Sequence, residues 1–184
     1  MDKKDSTGVC FIGERNFKEF LSNYLPSQKG DIIDGGTMQK VGTHQGVLYY
    51  TLGQRKGLGI GGIKGVNADG GYFVYKKDVT HNILYVAKTD RLDLLESDKA
   101  ILTDINFIPP RFEGKKEVGV KFRYRQPDQM AYMHFEGDTI VLEYEDHPVK
   151  AVTPGQIAAL YEGEKLLGGG ILDAIYRRGK KLND

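Results

Sequence analysis

From about the middle of the chain onward, apolar and polar positions alternate with a period of two. Val118, Val120, Phe122 and Tyr124 fall on one side of the alternation, and Gly119, Lys121, Arg123 and Arg125 on the other, the pattern of a half-buried strand. Strands are predicted at residues 47–51, 72–75, 83–87, 101–108, 118–125, 130–135, 139–144, 157–161 and 170–175. Asp69-Gly70-Gly71, Glu136-Gly137-Asp138, His147-Pro148 and Glu162-Gly163-Glu164 supply turns between them. Many short strands joined in this way predict a barrel or sandwich. The beginning of the chain is different. Asn16 can cap a helix with Glu19 three residues on, Phe17, Phe20, Leu21, Tyr24 and Leu25 recur at helical spacing, and Pro26 stops the run. The fold class expected is mainly β: a short helical lead-in (1–29), a small central β domain (30–96) and a C-terminal β-barrel (97–184), with the charged stretch 90–98 at the boundary.

Composition narrows the function classes without choosing one. The chain has 184 residues, 40% of them hydrophobic and 28% charged, which suits one ordinary domain or two small ones with a real core. No run approaches the ~18 apolar residues of a membrane span, and Met1-Asp2-Lys3-Lys4-Asp5 does not open a signal peptide. The expectation is a soluble, cytoplasmic protein with no membrane partner. Its 26 basic and 25 acidic residues leave a net charge of +1, so any charged partner must be met by a local patch. The one cysteine excludes a disulfide framework and a multi-thiolate metal site. His44, His81, His134 and His147 are scattered without a helical pair or a suitably spaced acid, and no metal site is predicted.

Glycine changes the picture. Eight of the 24 glycines lie between Gly53 and Gly71, where the backbone is free to adopt positive φ or approach a ligand closely. Gly57-Leu58-Gly59-Ile60-Gly61-Gly62 formally matches G-x-G-x-x-G. That motif binds a dinucleotide only between a strand and a helix, and the residues after it have no helical periodicity. Arg55, Lys56 and Lys64 nevertheless stand beside bare amides, a combination that accepts phosphates.

Two other stretches each carry two readings. Between Lys115 and Arg125 there are five basic residues and one acid, and on a strand alternate cations repeat every ~6.6 Å. The row is either an RNA grip, with Tyr124 available to stack, or a solvated barrel face. Arg177, Arg178, Lys180 and Lys181 form a second basic cluster, expected to be a disordered terminus. Cys10, within Ser6-Thr7-Gly8-Val9-Cys10-Phe11-Ile12-Gly13, is either a buried small hydrophobe or a reactive thiol whose pKa is lowered by Arg15 and a following helix.

Several longer motifs together resemble one family. Residues 6–15, from Ser6 to Arg15, resemble the second-cysteine loop of the bacterial tRNA-specific 2-thiouridylases. Gly42-Thr43-His44-Gln45-Gly46 and Thr51-Leu52-Gly53-Gln54-Arg55-Lys56-Gly57-Leu58-Gly59-Ile60-Gly61-Gly62 resemble that family's central domain. Phe122-Arg123-Tyr124-Arg125-Gln126, Ala151-Val152-Thr153-Pro154-Gly155-Gln156 and Leu167-Gly168-Gly169-Gly170-Ile171 resemble its C-terminal barrel. The motifs stand in the family's order and cover essentially the whole chain.

The resemblance implies a sulfurtransferase that makes 2-thiouridine at the wobble position of tRNA. In the family, ATP, bound with Mg by an N-terminal pyrophosphatase domain, adenylates the C2 oxygen, and sulfur then replaces it. The residue matching Cys10 carries that sulfur as a persulfide, and a first cysteine assists its release, leaving a disulfide. Neither the Ser-Gly-Gly-x-Asp-Ser loop of the ATP domain nor a second cysteine occurs in this sequence. The expectation is therefore the C-terminal half of such an enzyme, inactive alone and holding no cofactor itself. Its expected partners are tRNA and a sulfur-donor protein, either a cysteine desulfurase or a sulfur-relay carrier. By resemblance Arg123, Tyr124 and Gln156 match tRNA-contacting positions, and Lys121, Arg125, Arg55 and Lys56 are further candidates. If residues 1–29 pack against the other half, Phe11, Ile12, Phe17 and Phe20 are expected to be partly exposed.

Overall fold

The computed structural model describes residues 22–25, 27–60, 71–123 and 126–182. The helix expected after Asn16, up to residue 21, and the side chains of Phe11, Ile12, Phe17 and Phe20 lie outside them. No helix among the described residues is long and apolar enough to cross a membrane. The chain is mainly β and divides into two compact units, Met1–Ala87 and Lys88–Asp184.

The first unit is built on a four-stranded sheet in the order β2-β1-β4-β3, from β1 (Gly30–Asp34), β2 (Lys40–His44), β3 (Tyr72–Asp78) and β4 (Ile83–Lys88). β1 runs antiparallel to β2 and parallel to β4. Asp34 organises the β1–β2 turn. Its Oδ1 accepts the amide of Gly36 at 2.8 Å, and its Oδ2 accepts the Tyr72 hydroxyl at 3.0 Å. A Cβ on Gly35 would lie 2.0 Å from the Tyr75 hydroxyl, so a larger residue there would displace that ring. Ile32, Val74, Leu84 and Val86 pack with Leu52 and Leu58 to form the core of this unit.

Residues 47–51 do not form the expected strand. Val47–Tyr49 is a 3-10 turn, closed by Tyr49 N donating to Gly46 O at 3.1 Å. The apolar run Val47-Leu48-Tyr49-Tyr50 reads as a strand, but Asn82 Oδ1 takes the Val47 amide at 3.3 Å and no strand among the described residues supplies a ladder. His44 sits beside this turn, 1% exposed, and is a satisfied core histidine. Gly46 N donates to its Nδ1 at 3.0 Å, so Nε2 carries the hydrogen and faces the Asn82 carbonyl at 3.1 Å. Burial holds its pKa below the usual histidine value.

The second unit opens with a 3-10 segment, Thr89–Leu95, and a short ribbon of β5 (Glu96–Ser97) and β10 (Val149–Lys150). Its body is a closed barrel of β6 (Lys99–Phe107), β7 (Lys116–Lys121), β8 (Gln129–Glu136), β9 (Thr139–Glu143), β11 (Ile157–Glu162) and β12 (Lys165–Arg177). The order is β11-β7-β8-β9-β6-β12, and β12 pairs back onto β11 to close it. Closure leaves these six strands without a free edge inside the barrel. The predicted alternation holds on β7, where Val118 and Val120, with Phe122 just beyond the strand, point into a core shared with Leu102, Met133, Ile140, Leu142, Leu160 and Leu172.

β12 is longer than the predicted strand, with 13 residues. The predicted strand begins at Gly170, but the glycines before it belong to the strand as well and form the barrel's seam. A Cβ on Gly169 would lie 2.3 Å from Ala158 O, and one on Gly168 would lie 2.1 Å from Asn106 O. Two register shifts against β6 bend the strand beyond this point. The basic cluster expected to be disordered forms a hairpin with β13 (Lys180–Leu182). Arg177 is held there by Glu96 at 2.9 Å and by the Asp93 carbonyl, and the Arg178 amide by Asp98 at 2.6 Å. Glu96 of β5, the backbone carbonyl of Asp93 and the carboxylate of Asp98 hold the start of this hairpin, which local sequence does not reveal.

Candidate nucleic-acid interface

The basic row begins before β7 and runs just past its end. It does not present the free charge that its sequence suggests. Lys115 pairs with Glu143 of β9, Lys116 with Glu162 of β11 at 2.7 Å, and Lys121 with Asp128 at 3.3 Å. The hydrogen bond from Lys115 holds the Glu143 carboxyl below the usual carboxylate range, and Lys116 does the same for Glu162. Lys115 also lines a hollow of about 430 Å³ with Glu117, Glu143, Glu145 and Asp146 among its walls, an acidic setting that repels phosphate. Counting charge along one strand missed the acids that neighbouring strands bring alongside.

Arg123 is the exception. It is exposed, follows the buried Phe122, and among the described residues no carboxylate lies within ion-pairing distance. One guanidinium nitrogen donates instead to the Ala151 carbonyl at 2.6 Å and stands 3.5 Å from Thr153 Oγ1. Neutral acceptors take some of its hydrogen bonds, and no carboxylate among the described residues offsets its positive charge.

Those acceptors begin the loop that carries Gln156. Ala151 has φ +57°, the left-handed conformation. Its amide donates to Leu95 O at 2.8 Å, and its carbonyl also accepts the Thr153 hydroxyl at 3.1 Å. A turn follows at Thr153-Pro154-Gly155-Gln156, with proline second and glycine third at φ +85°, the residue pattern of a type II turn. The Gly155 amide donates to Leu172 O at 2.7 Å, and Leu172 N returns a bond to Gln156 O at 2.8 Å. These backbone bonds tether the turn to β12 and leave Gln156 exposed. The fold thus brings Arg123 and the Gln156 loop together. Thr153 and the Ala151 carbonyl were not candidates from sequence, where the only signal was the Pro-Gly turn.

Arg55 and Lys56 are both exposed, on a loop of the first unit. Gln54 shapes that loop: its amide nitrogen donates to Lys56 O at 2.9 Å, and its side-chain oxygen accepts the Thr51 amide at 3.1 Å. Gly57 and Gly59 take positive φ around the buried Leu58. A 3-10 turn, not a strand, leads toward this segment, so the entry half of a dinucleotide-binding motif is not present. Lys77, whose pKa burial lowers, donates to Tyr50 O at 3.1 Å just before it. Cys10, Tyr124, Arg125 and Lys64 lie outside the described residues. Within the described residues no group of three histidine, cysteine, aspartate or glutamate side chains is placed to hold a metal.

Comparison with known proteins follows the same division of the chain. Residues 18–88 match the family described as tRNA methyl transferase PRC-barrel domain, and residues 97–172 match the aminomethyltransferase beta-barrel domain. The chain is 45% identical over 180 residues to the tRNA-specific 2-thiouridylase MnmA of Mycoplasmopsis synoviae, covering 98% of this chain and 46% of that protein. It is 47% identical over 187 residues to the Listeria monocytogenes protein of the same name, covering 99% and 48%. The Streptococcus thermophilus protein is 48% identical over 183 residues, covering 97% and 47%. The chain spans about half the length of the curated relatives it matches.

Proposed function

Because this chain belongs to the tRNA-specific 2-thiouridylase family, we propose that it is the portion of such an enzyme that grips tRNA and bears the sulfur-carrying cysteine. In this reading residues 30–96 are the central β domain and 97–184 the tRNA-contacting barrel. The observation that carries it is the assembly of Arg123 with the Gln156 loop: an exposed guanidinium with no carboxylate partner among the described residues, beside an exposed amide side chain on a braced turn. An arginine offers forked, charge-assisted donors to phosphate, and glutamine reads base or sugar edges. Tyr124 is the proposed stacking residue. Arg125 on the barrel, and Arg55 and Lys56 on the first unit, are proposed as further tRNA contacts, with Lys121 joining them only when released from Asp128.

Cys10 is the proposed persulfide carrier. A sulfur-donor protein, either a cysteine desulfurase or a relay carrier, loads it. The terminal sulfur then bonds to C2 of the wobble uridine as the adenylated oxygen leaves with AMP. The first cysteine of the other half attacks the Cys10 sulfur, breaking the S–S bond and leaving a disulfide between the two cysteines. A persulfide is a strong nucleophile near neutral pH, and glycines on both sides of the Cys10 segment suit a residue that must meet donor and base in turn. Dependence on ATP and Mg belongs to the proposal for the whole enzyme. The described residues bring together no donor set for the metal, and no step through ATP is assigned to them. The chain alone is proposed to bind tRNA without thiolating it.

The test is binding of this chain to a tRNA with a wobble uridine, at low and moderate salt, beside an Arg123→Ala/Tyr124→Ala variant. Salt-sensitive binding that the variant loses supports the reading. Equal binding by both proteins overturns the barrel as the grip.

A further inference from the structure

Arg123 is usually the kind of residue assigned to one job, a cation reaching for phosphate. In this fold it has a second set of partners. Its side chain crosses from the end of β7 to a loop 28 residues further along, and the acceptor it finds belongs to a residue in the left-handed conformation. An alanine there is disfavoured relative to the right-handed region, because its Cβ crowds the following carbonyl oxygen. Such a conformation persists only where surrounding bonds hold it. At Ala151 those bonds are the amide to Leu95 O, the carbonyl to Arg123, and the same carbonyl to the Thr153 hydroxyl. Thr153 stands at the centre of the arrangement. Its hydroxyl bonds back to Ala151, its oxygen is 3.5 Å from the Arg123 guanidinium, and its carbonyl accepts the Gln156 amide at 3.4 Å across the turn.

Resting on the tRNA-binding reading above, we propose that Thr153 and the Ala151 carbonyl clamp the Arg123 guanidinium, and that Thr153 is a positioning residue for the RNA interface. The clamp does two things at once. It orders an exposed, rotamer-rich side chain before RNA arrives, so less conformational freedom is lost on binding. It also fixes the spacing between the arginine fork and the Gln156 side chain, so that one phosphate and one base or sugar edge are met in a set register. Lysine cannot replace arginine here. A point ammonium can hold the Ala151 carbonyl or meet a phosphate, but it lacks the planar fork whose separate N–H groups do both.

Thr153→Val keeps the side-chain shape and removes the hydroxyl, and Arg123→Lys keeps the charge and removes the fork. Two readouts are taken on the 184-residue chain: amide hydrogen exchange across 151–156, and affinity for a wobble-uridine tRNA over a range of salt. Both variants are expected to speed exchange at Gly155 and Gln156. Thr153→Val is also expected to weaken tRNA binding roughly three- to ten-fold with an unchanged salt slope, since no phosphate contact is lost. Adding Gln156→Ala to Thr153→Val is expected to cost less than it does in the wild type, because a misplaced Gln156 contributes less. Wild-type exchange in both variants overturns the clamp. Faster exchange with unaltered tRNA affinity, or full additivity with Gln156→Ala, overturns the positioning role. If the wild-type chain itself binds no tRNA, the RNA reading falls with that role, and the exchange data show whether the clamp holds the loop regardless.

Discussion

The guanidinium of Arg123 and the carbonyl of Ala151 meet at 2.6 Å, tying the end of one barrel strand to a loop whose backbone is in the left-handed region. The nearby lysines are bound to carboxylates instead. That contrast separates residues with charge to offer from residues whose charge is already matched.

Releasing a matched lysine should therefore strengthen RNA binding. Asp128→Asn frees Lys121, and tRNA affinity at low salt is expected to rise roughly two- to five-fold, with a salt slope steeper by about one. Filter binding at several salt concentrations decides it. An unchanged affinity would place Lys121 off the RNA path.

The two glycine classes of the barrel should respond differently to alanine. At Gly169 a Cβ meets backbone at 2.3 Å, and the close approach of β11 and β12 must open. A loss of about 3 kcal/mol or more is expected. At Gly163, φ is +56° with open space around it, and only the conformational penalty of about 1 kcal/mol applies. Denaturant unfolding of the two variants compares them, and equal losses would contradict the seam.

His44 makes stability depend on pH in a definite direction. Its folded-state pKa is lowered, with burial outweighing the Asn82 carbonyl and the Asp31 charge that oppose it. As pH falls, the unfolded chain takes up the proton first, near its ordinary value of ~6.5. The stabilisation is complete above that pH and is lost as pH falls through the lower folded value. Urea midpoints of wild type and His44→Gln at about pH 8 and about pH 5 should converge on acidification. A constant gap between them would rule out His44 as the titrating group.

Ser97 and Tyr144 form a buried hydroxyl pair, with oxygens 2.8 Å apart and exposures of 0% and 3%. Burial raises the phenol's pKa, so Tyr144 should stay un-ionised while exposed tyrosines titrate in alkaline solution. Ser97→Ala strands that phenol and is expected to cost about 1–3 kcal/mol, whereas the same change in a Tyr144→Phe background should cost less. A thermodynamic double-mutant cycle measures the coupling, and additive losses would show that none exists.

How much of this was legible in the chain depended on where each partner lay. The β7 alternation was readable because Val118, Val120 and Phe122 are two residues apart and share one core. Residues 47–51 misled because four apolar residues in a row look alike whether a strand or Asn82 satisfies their amides. β1 and β2 were missed because Gly30–Asp34 and Lys40–His44 mix glycine and charge with a few apolar positions. The strand at 170–175 was predicted too short at its start, because Gly168 and Gly169 have no side chains to alternate, and that same lack lets three strands converge. At the site, the motifs named Arg123 and Gln156. The bond joining Arg123 to their common loop ends on a backbone oxygen, which no side-chain pattern announces.

Barrel closure also sets a timetable for folding. β6 lies between β9 and β12, and β12 also completes the seam with β11. An early strand must therefore wait, partly unpaired, until a late one has been synthesised. Closing so long an intervening loop is entropically slow, and topologies rich in such distant pairings fold slowly. On a ribosome, the second unit cannot complete its sheet until residues near 177 have left the exit tunnel. For that interval the edge of β6 that faces β12 has no partner, and an unpaired edge of this kind makes an incomplete fold prone to aggregate.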